Sequence, residues 1–212
     1  MSKWTDTSTT FEDDDTFSQN VVGFEKPKNT FDLEFDEKIA SETMEENVNW
    51  EKPQQQNLEP PKIRVFDVAA YILKKMDTMT TMKLQKLVYY SQAWSLVWDE
   101  KRLFEEDIEA WANGPVVREL FDYHRGMYEI SEIPIGNPRL LDQIQRDTVD
   151  AVLEYYGNRP AQWLIDLSHM EVPWVHARKG LPPLERGNRV IPLDSMADYY
   201  SSLSVHEDLE DE

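Results

Sequence analysis

The hydrophobic pattern is densest between Thr80 and Trp98, where 11 of the 17 residues from Met82 to Trp98 are apolar or aromatic. Leu84, Leu87, Val88, Ser91, Trp94, Ser95 and Trp98 fall on one helical face, and Tyr89, Ala93, Leu96 and Val97 cover much of the remainder. A helix apolar on nearly every side needs neighbours all round, so this segment is predicted to be the centre of the fold. It is interrupted by Lys83, Lys86 and Gln92 and closed by Asp99-Glu100-Lys101-Arg102, which argues against a membrane span. Apolar positions 65, 66, 69, 72, 73 and 76 predict an earlier amphipathic helix over Val65–Met76. A turn is expected over Asp77–Thr80, with Thr80 or Thr81 as the next N-cap.

Downstream, Leu103-Phe104 and Ile108–Ala112 read as short extended segments forming a small hairpin. Asn113-Gly114 is a turn signal, and Pro115 stands where it could open a helix over Val116–Arg125 with Val117, Leu120, Phe121 and His124 facing inward. Met127–Arg139, with Pro134, Gly136 and Pro138, has no period and is expected to be a loop. Leu140–Tyr156, with apolar positions at 141, 144, 148, 152 and 155, predicts a helix stopped at Gly157. Shorter helices follow over Ala161–His169 and from Val172 to Arg178, then a loop over Gly180–Gly187 and a last helix capped by Asp194 or Ser195 and running to Leu203.

Residues 1–60 show no such order: scattered aromatics, low hydrophobicity, and 15 acidic against 5 basic side chains predict a disordered acidic arm. Residues 198–212 carry 6 acids and no Lys or Arg. The expected division is an arm over 1–61, a folded domain over 62–204 and an acidic tail over 205–212. The fold class is mainly α (α+β), a compact helical domain around a buried central helix with a small β-hairpin. Within the arm, Asn20-Val21-Val22-Gly23-Phe24-Glu25-Lys26-Pro27 is echoed by Asn47-Val48-Asn49-Trp50-Glu51-Lys52-Pro53, both ending in aromatic-Glu-Lys-Pro. Two copies of a short linear motif suit a recognition arm, and chance similarity in a low-complexity segment is the alternative.

The net charge of −19 argues against gripping a nucleic-acid backbone and points to a basic partner. The absence of cysteine excludes disulfides, thiolate metal sites and thiol nucleophiles. No secretory signal precedes the domain, so the expected compartment is the cytoplasm. His169-Met170-Glu171 with Pro173 has the outline of a zinc-deaminase H-x-E…P, but its C-x-x-C partner is impossible here. Metalloprotease, serine-hydrolase and P-loop patterns are missing, and no cofactor, metal or catalytic residue is expected. His169 reads as a half-buried structural histidine and His176 as a surface one. Lys83, Lys86 and Tyr90 could form a phosphate-binding patch, although such a helical patch is more often a solvated edge.

Several of these residues together resemble the Panacea domain, the family of SocA-like antitoxins and GepA-like phage-associated proteins. The likeness runs through Lys83-Leu84-Gln85-Lys86-Leu87, Tyr89, Tyr90, Gln92 and Trp94, then Trp111 and Asn113-Gly114-Pro115-Val116-Val117, then Gly157, then His169 with Pro173-Trp174 and Ala177. It covers about residues 65–203, and Ser168 fits the family's Ser or Thr before the histidine. The resemblance implies a mainly helical binding module that neutralises a partner protein toxin of a bacterial or phage toxin–antitoxin system, without enzymatic activity. Two alternatives are an adaptor delivering a toxin to an AAA+ protease, with the arm as tether, and an acidic DNA mimic or regulator. The long acidic arm departs from the common domain. Phe24, Trp50, Lys83, Lys86, Gly114 and Pro115 are the candidate partner-binding residues. Leu84, Gln85, Leu87, Tyr89, Trp94, Trp111, Val116, Gly157, His169, Pro173 and Trp174 are the candidate motif core.

Overall fold

The computed structural model describes residue 26 and residues 61–182 and 184–204. In chain order the elements are α1 (Val65–Met76), β1 (Met79–Thr80), α2 (Thr81–Trp98), β2 (Ile108–Trp111), β3 (Gly114–Val117), α3 (Arg118–His124), β4 (Glu129–Ile130), α4 (Gln143–Tyr156), α5 (Ala161–Met170), α6 (Val172–Ala177) and α7 (Leu193–Ser204). The expected arm over residues 1–60 and the tail lie outside the described residues, apart from Lys26.

Helix α2 is the hub. It starts at Thr80, whose hydroxyl accepts from the Lys83 amide at 3.3 Å, and every residue from Leu84 to Ser95 is buried. Helices α1, α4, α5 and α7 and strand β3 pack round it. Such a helix cannot be amphipathic, so its polar side chains must find partners inside the protein. Most do so by bonding neighbouring backbone. Ser91 Oγ donates to Leu87 O at 2.8 Å and Ser95 Oγ to Lys101 O at 3.0 Å. Gln92 Oε1 accepts from the amides of Leu103 and Phe104 at 3.0 and 3.1 Å. Those two residues are buried loop fastened to the helix, and not the extended strand the pattern predicts.

The hairpin pairs β2 with β3 across the two residues Ala112 and Asn113, with Ile108 opposite Val117 and Trp111 opposite Gly114. Gly114 has φ +97°, which closes the turn. The expected helix over Val116–Arg125 therefore begins late, at Arg118. Pro115 sits in a strand opposite Ala110, and the β-branched Val116 and Val117 complete that strand. A second correction concerns Met79–Thr80 and the loop after Met127. These pair as β1 and β4, Met79 opposite Ile130, and pin the long connection to the start of α2. In α4 the buried face is Thr148, Val149, Val152 and Tyr156, whereas Ile144 is exposed.

Candidate functional site

Two regions concentrate chemistry, one buried against α2 and one open above it. The buried region begins with Lys86, a fully buried lysine whose Nζ donates to Pro115 O at 2.9 Å. The solvated edge expected for Lys83, Lys86 and Tyr90 is not there: Lys86 and Tyr90 are wholly enclosed and Lys83 is half-buried. Gly114 and Pro115 are buried as well, so of the four domain residues expected to meet a partner only Lys83 has a partly open surface. Phe24 and Trp50 lie outside the described residues.

Opposite stands Glu171, at the junction of α5 and α6 and 1 % exposed. Neither of its carboxylate oxygens has a protein donor in hydrogen-bonding geometry, although the hydroxyls of Tyr89, Tyr90 and Tyr200 face it. Burial pushes its carboxyl up to about 8, and the tyrosine hydroxyls and Lys86 offset only part of that rise. Burial pulls the Lys86 ammonium down to about 7, opposed by the Glu171 charge. Burial thus biases both members of the pair toward their uncharged forms, and their mutual attraction offsets only part of that bias.

Aromatic rings wall the pair. Tyr90 stacks on Tyr156 at 4.2 Å, Trp94 on Trp98 at 4.7 Å, and Tyr200 meets Tyr89, Tyr90 and Trp94 edge-on. Trp94 Nε1 donates to the Tyr156 hydroxyl at 3.2 Å. On the α5–α6 side the His169 ring stacks on Trp174 at 4.2 Å, and the Arg178 guanidinium covers Trp174 at 5.1 Å. Burial lowers the His169 pKa. Trp174 Nε1 donates to Trp111 O at 2.9 Å, which ties the His169-to-Trp174 segment to the hairpin. Lys86, Tyr89, Trp94, Gly114, His169 and Trp174 of the sequence motif thus gather round one buried centre. Leu84 and Leu87 are completely buried beside it. Gly157, directly after Tyr156, closes α4 through its amide bonded to Leu153 O at 2.8 Å.

The open region is a cleft of about 870 Å³ between the N-terminal half of α2, the hairpin, α3 and the loop near Arg186. One wall is a ladder of alternating guanidinium and ring. Arg118 lies over Trp111 at 5.3 Å, Trp111 meets Phe121 edge-on at 4.7 Å, and Arg125 covers Phe121 at 5.5 Å. Glu109 holds Arg118 by two bonds of 2.8 and 2.6 Å and accepts from Trp111 Nε1 at 2.7 Å; Asp122 pairs with Arg125. The floor is Gln85. Its Oε1 accepts from the Val117 amide at 2.9 Å, and its amide nitrogen faces Val117 O at 3.3 Å and His124 Nε2 at 3.0 Å. His124 Nε2 is therefore the acceptor of a neutral ring, in keeping with the downward pull of burial on its pKa. Met82, Met127 and Leu184 add apolar surface at the rim, Arg186 adds a third guanidinium, and none of the described lining residues is Asp or Glu.

Sequence reasoning missed Glu171, Arg178 and the cleft. A lysine inside an apolar helix was the available signal for Glu171, since a buried ammonium needs an acid or a carbonyl near it. Arg178 is 4 % exposed and donates to Ala110 O, Pro182 O and Glu185 O, holding the hairpin to the loop after α6.

Residues 84–175 match the family model for the antitoxin SocA-like, Panacea domain. The matched stretch runs from the buried part of α2 through the hairpin to α6, and so contains the Lys86–Glu171 centre and most of the cleft wall. No curated protein and no solved structure matches the chain. No helix among the described residues is long and apolar enough to cross a membrane.

Proposed function

With a SocA-like Panacea domain over residues 84–175 as its folded centre, this protein acts, we propose, as an antitoxin that binds a partner protein toxin and neutralises it stoichiometrically. The observation that supports a binding role most directly is the cleft. In a chain of net charge −19 its described lining includes Arg118, Arg125 and Arg186 with Trp111, Phe121 and Met82 and no Asp or Glu, the carboxylates of Glu109 and Asp122 that pair with Arg118 and Arg125 standing behind that lining. Arginine and aromatic side chains anchor protein interfaces because they bury large areas and still satisfy polar groups. The cleft suits a protruding toxin segment with an apolar side chain next to a carboxylate. The acidic arm serves a different part of the same partner: net −10 over residues 1–60 steers encounter with a basic surface, and Phe24 and Trp50 give it apolar anchors.

The test is co-expression with the products of adjoining reading frames. The expected result is one product that arrests growth alone, is tolerated together with this protein, and co-purifies with it. The double variant Arg125→Glu and Arg186→Glu, at two exposed positions, is expected to fold normally and lose rescue and co-purification together. Full rescue by that stable variant would remove the cleft from the interface. Failure of every neighbouring product to be toxic or to bind would remove the antitoxin reading itself.

A further inference from the structure

The single described residue among residues 1–60 is seated on the domain. Lys26 Nζ lies 2.6 Å from Asp99 Oδ1 and 3.3 Å from Ile144 O. The Lys26 side chain is 24 % exposed and that of Asp99 only 7 %, so the contact is made largely out of water. Asp99 is built into the domain independently of the arm. It follows the last residue of α2, its amide caps Ser95 O at 3.0 Å, and its second carboxylate oxygen accepts from Thr148 Oγ1 of α4 at 2.6 Å. One oxygen is thus satisfied internally, and the other is offered to a donor at the C-terminal end of a long helix, where a cation is favoured by the helix dipole. Beside it Ile144 is an exposed apolar side chain, and its carbonyl in the first turn of α4 has Lys26 as an additional donor.

Lys26 is the lysine of Phe24-Glu25-Lys26-Pro27, and the arm repeats that pattern as Trp50-Glu51-Lys52-Pro53. We infer that the Asp99–Thr148–Ile144 corner is a receptor for the arm's aromatic-Glu-Lys-Pro motif, occupied in cis by the Lys26 copy and able to take the Lys52 copy instead. The second copy is not stranded: nine residue steps separate Lys52 from Pro61, up to ~30 Å of extended chain. The arm enters the fold at the loop that follows α2, since the Val65 amide at the head of α1 bonds Glu106, seven residues beyond Asp99 in the chain. With one receptor and two equivalent motifs, one copy is docked while the other stays available for a partner.

The chain has no cysteine, so a single introduced cysteine carries a spin label uniquely. Ser18→Cys and Met44→Cys each lie eight residues before the lysine of their copy. In the full-length protein, the label at position 18 is expected to broaden the amide signals of Asp99, Ile144 and Thr148, and Lys26→Ala is expected to abolish the effect with the remaining spectrum intact. The label at position 44 is expected to broaden the same signals weakly, strongly once Lys26 is replaced, and not at all in Lys26→Ala with Lys52→Ala. Broadening from position 18 that survives Lys26→Ala overturns the receptor. No gain from position 44 in the Lys26→Ala protein overturns the exchange of copies. Broadening seen only when spin-labelled chains are mixed with separate isotope-enriched chains overturns docking in cis.

Discussion

Replacing Gly114 by alanine probes the link between the hairpin and the buried lysine. At φ +97° an L side chain is strained by ~1–2 kcal/mol. A Cβ built there would stand 2.5 Å from Lys86 Nζ, 2.8 Å from Lys86 Cε and 2.8 Å from Ser168 Oγ. A surface lysine would swing away at little cost. Lys86 is enclosed on all sides and its Nζ is fixed to Pro115 O, so yielding means breaking that bond, at ~1–3 kcal/mol for a buried group left unsatisfied. Together these give ~2–5 kcal/mol, a large share of the ~5–15 kcal/mol available to a domain. Urea denaturation measures the loss directly. At ~2–4 °C per kcal/mol the melting temperature should fall by ~4–20 °C. A cycle with Lys86→Ala separates the two causes: without the ammonium, Gly114→Ala should cost only the backbone strain, a coupling of ~1–3 kcal/mol. Strictly additive losses, or a Gly114→Ala cost below ~0.5 kcal/mol, would refute the view that the hairpin turn is built on Lys86.

Leu87→Ala, at a fully buried position of α2, should cost ~2–5 kcal/mol in the same denaturation assay, and a loss under ~1 kcal/mol would displace α2 from the centre. Glu171 and Lys86 predict the pH dependence of stability. Glu171 holds its proton in the fold up to about 8 and releases it near 4.5 when unfolded, so its contribution is complete below pH 4.5 and is lost as pH rises to 8. Lys86 is neutral in the fold above about 7 but protonated up to 10.5 when unfolded, so its contribution is lost as pH falls from 10.5 to 7. The pair therefore favours a stability minimum near pH 7–8. Glu171→Gln should remove the decline between pH 5 and 7.5, and an unchanged decline in urea titrations at those two values would show that Glu171 does not cause it. Trp174→Phe should loosen the hairpin by removing the bond to Trp111 O, costing ~1 kcal/mol and raising hydrogen exchange at the amides around Trp111.

The sequence pattern announces α1 to its terminal residues and α2 as the hub, because both rest on spacing alone. It misplaces β3 because Pro115 after Asn113-Gly114 is also a helix-opening signal, and only the partner strand decides between the two. The β1–β4 pairing was illegible: two strands of two residues carry no period, and their register depends on the path of a distant loop. In the buried centre, the motif includes Lys86 and His169, yet the pattern alone places Lys86 at the surface. A charged residue on a helix is usually solvated, and its burial here follows from Pro115 O and Glu171, which arrive from 29 and 85 positions away. The cleft was invisible for a similar reason: Trp111, Phe121 and Arg186 are neighbours only through the fold.

The hairpin is flanked on both sides. Along β3, the Gln85 side-chain amide bonds both the amide and the carbonyl of Val117, as a third strand would. Along β2, the segment 189–191 supplies main-chain bonds: the Ala110 amide donates to Arg189 O and the Ile191 amide to Ile108 O, both at 2.8 Å. A short ribbon that left its rows of amides and carbonyls open would invite any extended peptide to extend it, irrespective of that peptide's side chains. Here those positions are already taken by the protein's own groups. Any partner docking at this end of the molecule would have to be recognised through side chains, so single substitutions in the cleft would change which partner fits without rebuilding the backbone beneath it.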